Sequence, residues 1–472
     1  MPVVFDEAKR FDLAVPVVIV GAGACGLVAA LAAKDAGAEV LVLERDRTPS
    51  GSTALSSGFI PAASTRFQLA AGVVDSPEQF AADVLRKNHG EADPRMVGAI
   101  CRASGRAIEW LADRCGIPFV LVEGFLYPGH TALRMHAVSG KTGRALMAAL
   151  VETCSRAGID ILCEARVMAL HADSKRRVRG VSFSRRGEAI EDVGCSALVL
   201  ACSGFGGNPG MVKRHIPELA GVDYFGHAGN EGDAVSWGEA LGADVADMTA
   251  YQGHGSVATP HGILITWALM MEGGIQVNAL GERFSNEHEG YSEQCVNVLA
   301  QPGRVTWNIY DERLHGLGLE FPDYRDAVAA GAIKSGPDLE ALASQAGLPA
   351  ANLRQTLRTV TACAAGKIED PFGRDFTSKP PLAPPYRAVK VTGSLFHTQG
   401  GLAVNEQARV CDAKGQPLPN LFAGGGAARG ISGAHVWGYL SGNGLLCAVS
   451  LGWISGQASA RLTLGNSHSD FR

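Results

Sequence analysis

Three glycines and one acid are the first residues whose types and spacing could do chemistry. Gly21, Gly23 and Gly26 form the GxGxxG run Gly21-Ala22-Gly23-Ala24-Cys25-Gly26, and Glu44 stands eighteen residues after the last of them. The first glycine permits a tight turn, the second lets the backbone approach a pyrophosphate, and the third lets a helix pack on a strand. A helix opening there offers free N–H groups and the positive end of its dipole to a diphosphate. An acid at the end of the next strand accepts hydrogen bonds from a ribose. The pattern is that of a dinucleotide site, and by itself it does not separate flavin from nicotinamide.

Such a site needs a strand, a turn, a helix and a second strand. Pro16-Val17-Val18-Ile19-Val20 reads as a short buried strand, Leu27 to Ala36 as an alanine-rich helix, and Val40-Leu41-Val42-Leu43 as a second strand. That unit implies a parallel sheet with helices on both faces. Further on, residues 50–150 read as mostly helical. Residues 160–200 read as short strands ending in Ala197-Leu198-Val199-Leu200-Ala201, and Gln345 to Thr361 as an amphipathic helix. Leu382-Ala383-Pro384-Pro385 reads as a hinge, since consecutive prolines continue neither helix nor central strand. An apolar helix is expected from about Gly444 to Leu462.

Bulk properties narrow the class. The chain has 472 residues, 46% of them hydrophobic and 19% charged, which suits two or three globular domains. A net charge of −5 leaves no basic excess for a phosphate backbone, so nucleic acid is not an expected partner. The 11 cysteines show no CxxC and no metal-ligand spacing, so they read as free thiols, no metal is expected, and the location reads as the reducing cytoplasm. The first apolar run is interrupted by the motif glycines, so neither a signal peptide nor a membrane span is read.

From here the chain resembles the flavoprotein family of fumarate reductases and 3-ketosteroid dehydrogenases. Besides the GxGxxG unit, five segments carry the likeness in the family's order. They are Gly51-Ser52-Thr53-Ala54-Leu55-Ser56-Ser57-Gly58-Phe59-Ile60-Pro61, Ala201-Cys202-Ser203-Gly204-Phe205-Gly206, Gly229-Asn230-Glu231-Gly232-Asp233, Gly281-Glu282-Arg283-Phe284-Ser285-Asn286-Glu287 and Leu421-Phe422-Ala423-Gly424-Gly425. The fold class this resemblance implies is α/β: a Rossmann-like FAD-binding domain, parallel sheet with helices, over residues 1–222 plus 379–472. Into it is inserted an α+β cap, the catalytic domain, over 223–378, with the active site between the two. FAD would lie against Gly21, Gly23, Gly26, Glu44 and Arg45. It would continue past Ser52, Thr53, Ser57 and Gly58, then Val167, Ser203 and Gly204, and reach Gly424, Gly425, Leu440 and Ser441. Covalent relatives attach the flavin to an early histidine; none lies in Gly51–Pro61, so FAD is expected to be dissociable. Gly426 stands where the family often has a glutamate on the ribityl chain, which predicts a weaker hold.

The departures from fumarate reductases bear on the chemistry. The family's proton-delivering cap arginine falls on Tyr291, its carboxylate-binding arginine on Tyr439, and a glutamate and arginine of its proton path on Trp267 and Met270. A dicarboxylate needs a cationic clamp, because burying an unpaired carboxylate is costly. Both tyrosines instead match ketosteroid dehydrogenases, which implies that Tyr291 removes a proton alpha to a ketone, directly or through Ser441, and that Tyr439 polarises the ketone. His254 and His397 fall on substrate-side histidines and are expected to donate hydrogen bonds. The expected function is an FAD-dependent dehydrogenase acting on CH–CH groups: desaturation of a 3-ketosteroid or smaller cyclic ketone by alpha-proton abstraction and hydride transfer to flavin N5. Two alternatives stand beside it, a reductase of an activated alkene such as an enone, fumarate or urocanate, and a flavin protein that only carries electrons. The expected partners are a small-molecule ketone or enone and an external electron acceptor or donor. The residue that activates Tyr291 is left open, with His288 adjacent in sequence.

Overall fold

A computed structural model describes residues 2–124, 126–186 and 189–466. Its packing divides the chain into one compact unit of residues 1–251 and 397–472 and a second of 252–396. The sequence expectation drew these borders at 222/223 and 378/379. The Gly229–Asp233 segment and the helix Asp233–Ala240 lie in the first unit, where Arg45 Nη1 donates to the Gly229 carbonyl (2.7 Å) and a side chain at Gly238 would strike Leu402.

The first unit is built on a nine-stranded sheet. Ala14–Val20 pairs in parallel with Val40–Leu43 on one side and Ile190–Leu200 on the other, and Val40–Leu43 pairs in parallel with Asp160–Leu162. Ala165–Ala172, Val178–Arg185 and Ile190–Leu200 form an antiparallel meander, and Pro417–Ala423 joins Ile190–Leu200 in parallel. The central strands are continuous apolar runs (Val17, Val18 and Ile19 fully buried) because helices cover both faces. One is Ala24–Asp35, which begins at the motif itself, before the expected Leu27; the small Gly23 and Ala24 let it start directly from the turn. Another is Asn443–Asn466, whose glycines permit close approach: a side chain at Gly456 would lie 2.3 Å from the Ala29 carbonyl.

The second unit holds a mostly antiparallel sheet in the order Ile263–Leu264, residues 252–258, residues 386–396, Val305–Asp311 and Ile275–Val277, with Ile333–Gly336 also on residues 386–389. The expected single helix over 345–361 is two, Leu339–Ala346 and Ala350–Ala364. Gly347 closes the first in the left-handed region (φ 68°), and Pro349 precedes the second. The Pro384-Pro385 stretch leads directly into the strand Tyr386–Thr398.

All 11 cysteines are free thiols. Among the described residues, no helix is long and apolar enough to cross a membrane, and no cluster of His, Cys, Asp or Glu could hold a metal ion.

Candidate active site

In the first unit the glycine motif is shaped as its spacing demands. Gly21 has φ 102°, and a side chain there would sit 2.6 Å from the Ala201 carbonyl. A side chain at Gly26 would sit 1.9 Å from the Gly21 carbonyl. At Gly23 the nearest atom is Thr53 Oγ1 at 3.6 Å, so that side of the turn is open. No side chain caps the helix at Gly23, Thr53 Oγ1 accepts from Ala24 N (3.1 Å), and the N–H groups of Cys25 and Gly26 find no acceptor among the described residues. Glu44 is buried, which pushes its carboxyl above the usual range, and it accepts from the N–H groups of Ala22 (2.8 Å) and Asp46 (2.9 Å).

The other expected cofactor residues divide by what holds them. Arg45 is committed to the Gly229 carbonyl and Glu231, and Ser52 Oγ accepts from His227 N (3.0 Å) and Asn230 Nδ2 (2.9 Å). Ser57 is exposed, and Gly58 (φ 71°) packs on Thr142. Val167 is a core residue of its strand, so only its backbone is available to a nucleotide. Ser203 adopts a left-handed backbone (φ 66°), unusual outside glycine, and Gly204 packs on Thr398. A side chain at Gly424 would sit 2.7 Å from Cys25 Sγ, and one at Gly425 would sit 3.2 Å from Cys25 Cβ. At Gly426 a side chain would lie 3.1 Å from both His397 Nε2 and Ser203 Oγ, so polar groups of those residues fill the space a longer residue would need.

The turn Tyr439–Gly442 precedes the last helix. Tyr439 and Ser441 are buried, and the Tyr439 hydroxyl lies 3.9 Å from the point where a side chain at Gly444 would begin. The N–H groups of Leu440, Ser441 and Gly442 have no acceptor among the described residues. Leu440 and Ser441 are buried and Gly442 is half-buried, and backbone N–H groups grouped on one turn in this way can serve the acceptor atoms of a ligand. Together with the open first turn at Gly23 and the buried Glu44 carboxyl, they fit FAD, which Gly23–Gly26, Glu44 and Leu440–Gly442 would hold.

His397 belongs to this unit, and its protonation can be traced. Asn443 Nδ2 donates to Ser432 Oγ (3.2 Å), Ser432 donates to Gln399 Oε1 (3.1 Å), and Gln399 Nε2 donates to His397 Nδ1 (2.8 Å). Desolvation lowers the ring to about 4, so it is neutral with its proton on Nε2.

In the second unit, His254 and Tyr291 come together. Their rings stack with centroids 4.8 Å apart, Trp267 meets them edge-on at 5.8 and 6.4 Å, and Phe396 lies 5.3 Å from His254. Tyr291 opens the helix Tyr291–Leu299, and Gly290 before it has φ 141°. Gly253 N donates to Ser292 Oγ (2.9 Å), which ties the His254 strand to the Tyr291 helix. Ser256 N donates to His254 Nδ1 (3.2 Å), and burial lowers this ring to about 3, so His254 is a neutral Nε2–H donor. Trp267 is 6% exposed, and its Nε1–H has no acceptor among the described residues. His288 Nε2 is 3.2 Å from the Met270 carbonyl, and burial holds its ring near 4, so His288 gives Tyr291 no cationic partner.

Sequence reasoning missed the charges behind this group. Glu287 is fully buried, and the facing Arg374 and Arg283 more than offset its desolvation, holding it near 2. Arg283 also pairs with Asp370, and Arg374 Nη2 donates to the Met270 carbonyl (2.8 Å). Both buried arginines of this unit are therefore neutralised from within it.

The FAD binding domain family matches residues 16–445. The chain is 30% identical over 460 residues to the NADH:fumarate oxidoreductase of Klebsiella pneumoniae (strain 342), covering 97% of this chain and 48% of that protein, so it spans about half of that relative's length. It is similar to the open conformation of a flavocytochrome c3 fumarate reductase (TM-score 0.81, 28% identity, 96% of this chain and 79% of that one). It is similar as well to the 3-ketosteroid-delta4-(5alpha)-dehydrogenase of Rhodococcus jostii RHA1 in complex with 4-androstene-3,17-dione (TM-score 0.79, 28% identity, 97% of this chain and 99% of that one). The chain belongs to the FAD binding domain family, among flavin-dependent oxidoreductases that act on carbon–carbon bonds.

Proposed function

We propose that this chain is a dehydrogenase that desaturates the bond next to the carbonyl of an uncharged cyclic ketone, a 3-ketosteroid or a smaller ring. One observation carries the reading: the cluster of His254, Trp267 and Tyr291 offers only neutral polar atoms, while Arg283 and Arg374 are engaged by Glu287 and Asp370. A neutral cluster of this kind suits a ketone and leaves a dicarboxylate without a clamp. The 28% likeness to a ketosteroid dehydrogenase over nearly the whole of both chains supports the same substrate class.

When bound, FAD supplies the two-electron acceptor for the hydrogen on the carbon beta to the carbonyl. The chain's own residues do the rest. Tyr439 donates its hydroxyl hydrogen to the ketone oxygen, and Ser441 adds a second hydroxyl on the same turn. Polarising that oxygen makes the alpha proton acidic, because charge moves to an atom the protein stabilises. Tyr291 takes the proton. Tyr291 stands at the first position of the helix Tyr291–Leu299, directly after Gly290. His254 contributes a fixed neutral N–H to substrate. An external electron carrier closes the cycle.

The test uses Tyr291→Phe and Tyr439→Phe, loaded with FAD, with formation of an enone from a 3-ketosteroid or cyclohexanone-type ketone as the readout. Loss of the proton-transfer group is expected to lower kcat roughly 100- to 10,000-fold. Loss of the oxygen-binding donor is expected to lower it about 100- to 1,000-fold. Native rates in both variants would overturn the reading. A second reading runs the reaction backward, with Tyr291 as proton donor to an activated alkene, and the likeness to a fumarate oxidoreductase favours it. Consumption of an enone or enoate by dithionite-reduced protein, with no ketone oxidised, selects that direction.

A further inference from the structure

We infer that His130 is a positioning residue for the reaction: it grips the Ser441 carbonyl and so sets the direction of the Gly442 N–H and the seat of Tyr439. His130 Nε2 lies 2.9 Å from the Ser441 carbonyl oxygen, joining residues 311 apart in sequence. The preceding residue closes on the same turn, since a side chain at Gly129 would sit 2.6 Å from Leu440 Cδ1.

The proton on His130 is assigned by its other nitrogen. Arg134 Nη1 is 3.2 Å from His130 Nδ1, and a guanidinium only donates, so Nδ1 is the acceptor and Nε2 carries the hydrogen. Arg134 is itself immobile. Its Nε and Nη2 each reach a carboxylate oxygen of Asp75 at 2.8 Å, its Nη1 also pairs with Asp83, and its guanidinium lies 4.6 Å from the centre of the Phe80 ring. Arg134 and Asp75 have no exposed side-chain surface, and Asp83 almost none. Burial lowers the His130 ring to about 4, in keeping with a ring that stays neutral. A buried Arg–Asp cluster gains little stability over apolar packing. What this one does is select a single tautomer and aim it at one carbonyl.

The hold propagates through one peptide. In a trans peptide the C=O of Ser441 and the N–H of Gly442 point in opposite directions. Fixing the oxygen toward His130 therefore fixes the Gly442 N–H away from it, on a turn whose three N–H groups have no acceptor among the described residues. Gly442 has φ 88°, and a side chain there would lie 2.8 Å from the Pro61 ring, so the turn cannot re-aim that N–H by accepting another residue.

The inference deepens the proposed function and rests on it only for its kinetic arm. His130→Gln places an amide nitrogen within reach of Ser441. His130→Asn reaches only as far as Arg134 and leaves the carbonyl unheld. Both are measured for Tm, the absorption spectrum of bound FAD, KM and kcat. In His130→Asn the flavin spectrum is expected to shift and kcat to fall about 100-fold with KM little changed, as for a misplaced reacting group. His130→Gln is expected to recover most of both. A native spectrum and kcat in His130→Asn, or equal losses in the two variants, would overturn the assignment. Should either variant fail to fold, nitrogen-15 NMR of the native holoenzyme decides: an Nε2–H tautomer from about pH 5 to 8 is expected, and an Nδ1–H tautomer contradicts it. If no ketone is turned over, the proposed function fails while the spectrum and the tautomer still decide on His130.

Discussion

A buried histidine in a candidate site suggests a proton donor, and His254 is built against that role. Its Nδ1 is occupied by the Ser256 N–H, and burial lowers the ring to about 3, so it is neutral at neutral pH. His397, His130, His136 and His288 are held near 4 by the same cause. The consequence appears in acid. In the unfolded chain these rings titrate near 6.5. Below that pH the unfolded state binds protons that the folded state refuses, so stability is complete above the unfolded value and falls as pH drops toward the folded ones. Calorimetry is expected to give a Tm that is flat above about pH 7 and falls steeply below about 6.5; a Tm unchanged down to about pH 4 would contradict the neutral rings. His254 and His397 were visible in the sequence through the motifs around them. Their tautomers were not, because a backbone N–H two residues on and the Gln399 amide set them. His130 gave no signal at all: its partner Ser441 stands 311 residues away.

At the level of elements, the strand carrying His254 and the helix carrying Tyr291 are joined by a buried chain of amides. Asn308 Nδ2 donates to Ser256 Oγ (2.7 Å), Gln276 Nε2 to Asn308 Oδ1 (2.8 Å) and Gln294 Nε2 to Gln276 Oε1 (2.8 Å). Gln276 N donates to Glu287 (3.0 Å), so the chain ends on the buried ion cluster just ahead of Tyr291. A fully satisfied network of this kind fixes one geometry, and breaking it leaves buried groups without partners. Glu287→Gln removes the charge facing Arg374 and is expected to cost about 3–5 kcal/mol, measured as a lower urea midpoint. A midpoint equal to native would contradict the role of Glu287. The Gly281–Glu287 segment announced this corner in the sequence. Arg374, 87 residues beyond Glu287, did not stand out, since nothing in a linear pattern pairs two charges so far apart in the chain. The helix expected over 345–361 was misjudged for a local reason: apolar periodicity ran on through Gly347 and Pro349, and backbone chemistry outweighed it.

At the scale of the whole chain, the parallel strands around Ala14–Val20 were legible because a strand buried on both faces reads as an unbroken apolar run followed by the glycine turn. The meander from Ala165 to Leu200 was legible only as short strands. The return of Pro417–Ala423 to the same sheet was not legible, because it depends on pairings more than 200 residues apart, such as Leu198 with Leu421. The match over residues 16–445 covers both units, so the family assignment is a property of the full fold. What the fold does not assign is the charge of the substrate, and the reading depends on that charge. The direct measurement is anaerobic, single-turnover reduction of the FAD-loaded protein by a neutral cyclic ketone and, in parallel, by succinate at equal concentration. Bleaching by the ketone with none by succinate is the expected result. Bleaching by succinate alone would mean that a cation clamps the substrate after all, and would contradict the neutral site.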